Sequence, residues 1–399
     1  MKKFVAMALA VALAASVCVG CGTKDEEKDF SEANLMVKGF RNFRTDGFWS
    51  IVGYGGDLFM EKYPGSVVEF DVGGQGGQGD DLVAAVTAGD PWDVQMVIGT
   101  MLPGIFKAGT FEPLDEYVDR KKDTMFTWSL VDQATTYDGH VYAVSNAILG
   151  DPFYSTYNED MFKDFGIKTP IEYYKEGTWN REAVLKVVDD LTKAGYVFAG
   201  RFNEPVFDTY TFNRAEDGKM TSAISSKENR DFMEFIKTLL YDKKVADTRG
   251  KVEERQAAYY ADMPGTLPKQ EDYADTIRYI PFPWTQDKGT YIIDYHFSIP
   301  RGAKNPDASY ELIRCLTQAS YDERIKRLKE SMIDEDLEIF LKEAVEKAYV
   351  VRAPGYGVSA GDTCKDFQAG KSVGQFISEN ETRAQKAAED YNAEFFAAK

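Results

Sequence analysis

Three short motifs in this chain have residue types and spacing that could do chemistry. Gly74-Gln75-Gly76-Gly77-Gln78-Gly79 fits G-x-G-x-x-G between an apolar run and a helical one, and could cradle a pyrophosphate on main-chain N–H groups. Asp93 follows at about the distance of a ribose-binding acid. Such an acid belongs at the carboxyl end of the next strand, however, and Asp93 stands at its start. Gly357-Val358-Ser359-Ala360-Gly361 fits the G-x-S-x-G nucleophile elbow, which needs a His after the Ser; the two histidines, His140 and His296, both precede it. Gly370-Lys371-Ser372 ends like a phosphate-binding loop, but Lys365 stands where the first Gly belongs. Two histidines cannot build a His-rich metal site, and the cysteines do not cluster with them. A carboxylate pair for glycoside hydrolysis stays open, because acids occur throughout and none stands out from a solvated face. No cofactor is implied.

The elements around these motifs have a regular order. Leu35-Met36-Val37 starts a first strand, and Phe48, Val52, Phe59 and Tyr63 fall at helical spacing until Pro64-Gly65 stops the helix. Val67 to Val72 reads as a second strand, the Gly-rich loop 73–79 leads into a helix over Asp80–Ala88, and Asp93 to Ile98 reads as a buried third strand. This β-α-β-α-β order predicts a parallel or mixed sheet with helices on both faces. Further on, Val141 to Val144 and Tyr154 to Tyr157 read as strands. Asn180 is placed to cap a helix that Gly195 ends. Phe232, Phe235, Ile236, Leu239 and Leu240 mark an amphipathic helix, Asn305-Pro306 opens another, and 379–397 reads as a last one.

Lys2 and Lys3, the apolar run Phe4 to Val17, and Cys18-Val19-Gly20-Cys21 resemble a bacterial lipoprotein signal, with Cys21 as the residue that takes the lipid after cleavage. Cys18 stands where that motif usually has Leu; an ordinary secretory signal is the alternative. Either places the working protein outside the cytoplasm, with residues 1–20 as signal and 21–33 as a polar tether. Without residues 1–20 the chain keeps 45 basic and 65 acidic side chains, a net charge of −20. Such a surface argues against nucleic acid and against electrostatic docking on anionic lipid. No second apolar stretch approaches the roughly 20 residues needed to cross a bilayer, so membrane attachment would be by lipid alone. About 380 residues exceed what one compact core holds and predict two domains. Cys315 and Cys364 could form one bridge, but Cys315 sits in the apolar helical run Leu312 to Leu316 and reads as a buried free thiol.

Taken in order, several segments resemble the extracellular solute-binding family of ABC importers, in its carbohydrate-type (family 1) branch. They are Lys62-Tyr63-Pro64-Gly65-Ser66-Val67-Val68, Ala88-Gly89-Asp90-Pro91-Trp92-Asp93-Val94, Gly109-Thr110-Phe111-Glu112-Pro113-Leu114-Asp115 and Asp138-Gly139-His140-Val141-Tyr142-Ala143. Tyr157-Asn158-Glu159-Asp160-Met161-Phe162, Thr178-Trp179 and Ile299-Pro300-Arg301-Gly302 through Lys304-Asn305-Pro306 continue the series. The resemblance runs from about residue 34 to 399. It implies an α/β chain with the two-lobed (type II) periplasmic-binding-protein-like fold, each lobe a mixed sheet flanked by helices. Residues 34–146 with 292–330 would make one lobe, and 147–291 with 331–399 the other. The crossings are expected near Val144–Ala147, near Tyr291–Phe297 and after the helix near 330. It also implies a lipid-anchored receptor that binds a sugar or oligosaccharide between the lobes, catalyses nothing, works as a monomer and docks on a membrane permease. Other solutes such as a peptide or a sugar acid, a surface glycoside hydrolase, and a structural or sensor lipoprotein are the competing readings.

Sugars offer flat C–H faces to aromatic rings and hydroxyls to polar side chains. In open α/β sheets the ligand sits beyond the carboxyl ends of the strands. This rule nominates Arg44, Asp46 and Trp49 after the first strand, Thr100 after the third, and Asn146, Asp151 and Phe153 at the first crossing. Trp284, Tyr295 and His296 lie at the second. The stretch Glu204-Pro205-Val206-Phe207-Asp208-Thr209-Tyr210 is similar to a cleft-lining segment of the family, which nominates Glu204, Phe207 and Tyr210, with Tyr210 where the pattern has Trp. Each aromatic could equally pack in a core, Trp49 on its helix included.

Overall fold

The computed structural model describes residues 28–39, 42–44, 49–72, 78–98, 109–137, 139–200, 209–215, 219–245, 251–262, 267, 269–284, 289–350 and 360–396. It opens with strand β1 (Asn34–Gly39), helix α1 (Ser50–Lys62), β2 (Val67–Val72), α2 (Gln78–Ala88) and β3 (Val94–Ile98). Helix α3 (Trp128–Ala134) and the two-residue strands β4 (Thr136–Tyr137), β5 (His140–Val141) and β6 (Asp151–Pro152) follow. Next come β7 (Tyr154–Asn158), α4 (Glu159–Asp164), α5 (Pro170–Lys175), α6 (Arg181–Lys193), β8 (Phe198–Gly200), β9 (Phe212–Arg214) and β10 (Met220–Ser222). Helix α7 (Lys227–Lys237) leads to β11 (Tyr259–Asp262), β12 (Ile277–Pro281), β13 (Thr290–Ile293) and β14 (Tyr295–Ser298). The chain closes with α8 (Pro306–Ser331), α9 (Asp334–Phe340), β15 (Ala348–Tyr349), α10 (Ala360–Gln368) and α11 (Val373–Phe396).

The first sheet has the order β14-β3-β1-β2. β1 is parallel to β2 and β3, with Leu35 opposite Val68 and Val37 opposite Val94, and β14 returns antiparallel with Phe297 opposite Met96. β3 is buried along its whole length, as a strand covered on both faces must be. The Asp93 carboxylate accepts from the Met36 N–H at 2.9 Å and so staples β1 to the start of β3. α1 carries Gly53, Gly55 and Gly56 on its buried side. A Cβ on Gly55 would lie 2.2 Å from the Leu316 Cα, so only glycine lets α1 and α8 lie this close.

The second sheet has the order β12-β7-β11-β8. One face carries Tyr157, Phe198 and Tyr259, the last two stacked with ring centroids 4.2 Å apart, and packs on α4, α6, α7 and α11. The opposite face carries Tyr154, Ile277 and Tyr279 and joins the larger core that includes Phe340 and the first sheet. Helix starts follow their capping side chains. Asn158, Asn180 and Ser226 each accept a main-chain N–H, and Thr169 and Glu172 form a reciprocal capping box.

The two sheets are joined by a small three-stranded one, β15-β13-β6, backed by Leu130, Ala134, Ala147, Ile292, Ala348 and Val350. Its third strand lies at Ala348–Tyr349, after α9 and a π-helical turn (Leu341–Glu346). Val141 to Val144 is not one strand. β5 ends at Val141, and Val144 makes an isolated bridge to Phe297. The last helix begins at Val373 rather than 379, because Ser372 and Gln375 cap it reciprocally. Cys315 is a buried free thiol in α8, its pKa pushed up to about 12 by burial, and Cys364 is a half-buried cysteine in α10 that forms no disulfide. Among the described residues, no helix is long and apolar enough to cross a membrane.

Candidate functional site

Because β14 is antiparallel to β3, Tyr295 stands opposite Ile98, at the carboxyl end of the parallel strands. There its ring meets Trp49, the N-cap residue of α1, edge-on at 4.4 Å. Both are largely buried, Trp49 at 6% and Tyr295 at 7% exposure, and each keeps a sliver of surface. The Ser145 hydroxyl donates to the Tyr295 carbonyl. The adjacent Asn146 caps the 3₁₀ turn Ala147–Leu149, accepting from the Ile148 N–H at 2.9 Å and donating to the Met125 carbonyl. Trp49 and Tyr295 therefore meet at one corner beside the connecting sheet, and Ser145, the neighbour of Asn146, bonds the main chain there. The backbone of Asp151 lies in that sheet, opposite Ile293.

The other nominated residues divide. Arg44 is held against α1, where its Nη1 also donates to the Gly53 carbonyl at 3.3 Å. Its guanidinium bonds both oxygens of Asp57 (2.8 and 2.9 Å) and lies over the Phe70 ring at 4.9 Å. His296, next to Tyr295 on the strand, points to the opposite face, is fully buried, and bonds through Nε2 to the buried carboxylate of Asp294. Phe153 and Trp284 are core residues of the second sheet's helical side, with ring centroids 4.9 Å apart; Trp284 packs on Phe232 and Phe235 as well. At 0% and 1% exposure they offer no open ring face. Tyr210 joins the same cluster through Phe232 at 5.5 Å. Asp46, Thr100, Glu204 and Phe207 lie outside the described residues.

Sequence reasoning missed Arg181, whose Nε and Nη2 both donate to the Trp284 carbonyl while its guanidinium lies over Tyr210, Phe232 and Phe235. A signal was present: a cation in a helix's first turn opposes the helix dipole, so its partner must lie elsewhere.

The enzyme-like motifs resolve as structure where they are described. Gly370 takes a positive φ of 87° between α10 and α11, Lys371 bonds Glu379 and Asp366, and Ser372 caps α11. Ser359 and residues 73–77 lie outside the described residues. Among the described residues, no group of three or more His, Cys, Asp or Glu could hold a metal ion.

The motifs that carry the family resemblance form joints between distant segments. Phe111 bridges Pro300, the Glu112 N–H donates to the Ile299 carbonyl at 2.9 Å, and the Gly302 N–H donates to the Glu112 carboxylate at 3.1 Å. Lys304 pairs with Asp90 at 2.8 Å, and the Trp179 indole donates to the Pro281 carbonyl at 2.7 Å.

Two sheets flanked by helices and joined by three short crossing strands define a two-lobed binding-protein fold of the MalE type. Residues 44–323 match the family described as bacterial extracellular solute-binding protein, and the chain belongs to it. Its fold is that of MalE, the sugar-binding protein of the phytopathogen Xanthomonas citri (TM-score 0.67, 14% identity, 92% of this chain and 100% of that one). The GacH receptor of Streptomyces glaucescens GLA.O, solved unliganded and with acarbose, is similar at TM-score 0.63 and 16% identity, over 92% of this chain and 99% of that one. The galacto-N-biose-/lacto-N-biose I-binding protein of the ABC transporter from Bifidobacterium longum, solved with lacto-N-biose, is similar at TM-score 0.65 and 14% identity, over 92% and 98%. Compared by sequence with curated proteins, the chain matches none of them.

Proposed function

We propose that this protein is the extracytoplasmic receptor of an ABC importer. Cys21 would anchor it by lipid, and it would bind a sugar or oligosaccharide between its lobes and release it unchanged to the permease, as a monomer. The observation that carries the reading is the Trp49–Tyr295 pair at the carboxyl end of the first sheet, beside the strands that join the two sheets. That is where an open α/β sheet receives a ligand, and aromatic rings are what the C–H face of a sugar packs on. The sugar complexes of the structural neighbours support the same class of ligand.

The first lobe would be residues 34–146 with 292–330, which contain β1, β2, β3 and β14. The second would be 147–291 with 331–399, which contain β7, β8, β11 and β12. The remaining ligand groups would come from Asp46, Thr100, Glu204 and Phe207, with Asn146 beside the connecting sheet. Closure of such lobes on a ligand is a hinge motion that shifts a two-state population.

Thermal unfolding of residues 22–399 against mono- and oligosaccharides, amino acids and peptides tests this, since a ligand of the folded state raises the midpoint. The expected result is a rise with a saccharide that is recovered intact. Consumption of the sugar would instead establish a hydrolase, and a rise only with peptides or amino acids would overturn the carbohydrate assignment.

A further inference from the structure

Arg214 belongs to the second sheet's side of the molecule by its backbone and to the first sheet's side by its guanidinium. Among the described residues its strand, β9, pairs with β10 alone, and this hairpin is fixed to the second core. Phe212 is buried there, and the Asn392 carboxamide of α11 bonds both the N–H and the carbonyl of Met220 (2.8 and 2.7 Å). Tyr137, in contrast, packs with Leu82, Val97 and Phe111 on the face of the first sheet that α2 covers. Arg214 reaches across to both halves of that neighbour. Its Nη1 donates to the main-chain carbonyl of Gln133 in the last turn of α3, and its guanidinium carbon lies 5.7 Å from the Tyr137 ring centroid.

The chemistry favours this contact. The last carbonyls of a helix carry its negative dipole end, which attracts a cation, and the ring face does the same. The Gln133 side chain meanwhile donates to the Ala348 carbonyl of β15 at 3.2 Å, so the residue that receives Arg214 also holds a connecting strand. A second link crosses nearby: the Tyr349 hydroxyl of β15 donates to the Thr209 carbonyl at 3.4 Å.

We infer that Arg214 is a positioning residue for lobe closure, a latch that the lobes must break to separate. This rests on the two-lobed hinge described under the proposed function. A hydrogen bond to a charged group is strong enough that its loss should move the open-to-closed ratio about tenfold toward open.

The test is a distance measurement by electron spin resonance on ligand-free residues 22–399. Labels go on Val83→Cys and Val197→Cys, both exposed and on opposite sides of the hinge, in a Cys315→Ala, Cys364→Ser background. Arg214→Ala should move weight to longer distances by about that factor, and Arg214→Lys, which keeps the charge but not the fork, should fall between. Should Arg214→Ala fail to fold, as judged by its circular dichroism, Arg214→Lys carries the comparison. Several distance maxima that are the same in all chains would mean that the lobes move without Arg214 governing them, which overturns the latch alone. One sharp, identical maximum in all chains that moves when saccharide is added would overturn the latch alone, and one that stays in place with saccharide bound would overturn the hinge as well.

Discussion

The indole of Trp49 and the phenol ring of Tyr295 meet edge to face at 4.4 Å, with their planes 80° apart, although one opens the first helix and the other opens the strand that closes the sheet. Each ring holds the other in place. Trp49→Ala should lower the free energy of unfolding by about 3–5 kcal/mol, the range for truncating a large buried aromatic. Tyr295→Phe keeps the ring pair and should cost under about 1 kcal/mol, while losing a saccharide that bonds the hydroxyl by up to about tenfold. Urea denaturation and calorimetric titration of both variants check this. Equal affinity in Tyr295→Phe would remove that hydroxyl from the ligand contacts.

Trp284 should behave differently. It is enclosed by Phe153, Phe232, Phe235 and Phe282, so its truncation leaves a cavity. Trp284→Ala is expected to destabilise by about 3–5 kcal/mol. The fraction of that variant still folded at low temperature should bind saccharide like the parent. Weakened binding in a fully folded Trp284→Phe would show that the residue reaches the ligand after all.

The acid limb of stability should be set in part by capping and paired carboxylates. The Thr169 main-chain N–H, then its hydroxyl, hold the Glu172 carboxyl below its usual range; Arg255, then Asn158, do the same for Asp275. A carboxyl whose folded pKa is lowered binds more protons when unfolded. Its contribution is present above its unfolded pKa near 4 and is lost as pH falls through the lowered folded value. Asp93, raised by burial, works the opposite way, its contribution fading as pH rises through its folded value. Glu172→Gln should therefore be less stable than the parent by about 0.5–1 kcal/mol at pH 7, with the gap closing toward pH 3. Urea midpoints of the two chains across that range decide it; a gap independent of pH would remove Glu172 from the acid response.

Much of the fold is legible in the sequence because its signals are local. The apolar run of β3, the Pro64-Gly65 stop, the Asn180 cap and Asn305-Pro306 each act within a few residues, and the helices start or stop there. The start of α11 was missed although its signal is equally local, Ser372 with Gln375. Val141 to Val144 looks like a strand by composition, but pairing partners decide strands, and only Val141 and Val144 find any. The site is less legible for the same reason. Nothing near Trp284 or Phe153 in sequence says that α6 and α7 will bury them, and nothing near Trp49 says that Tyr295 will leave its edge at a corner. The family motifs did not help here, because residues such as Phe111, Pro300 and Trp179 are joints of the scaffold.

The place of β14 has a consequence for how the chain comes into being. β3 needs β14 as its outer neighbour, yet about 200 residues, including every strand of the second sheet, are synthesised between them. At roughly 5–20 residues per second, that interval is about 10–40 s during which β3 has no partner on that side. A sheet whose closure waits so long on a distant strand folds slowly. Slow closure leaves time for a chain to be threaded through a membrane before its first half becomes too compact to pass.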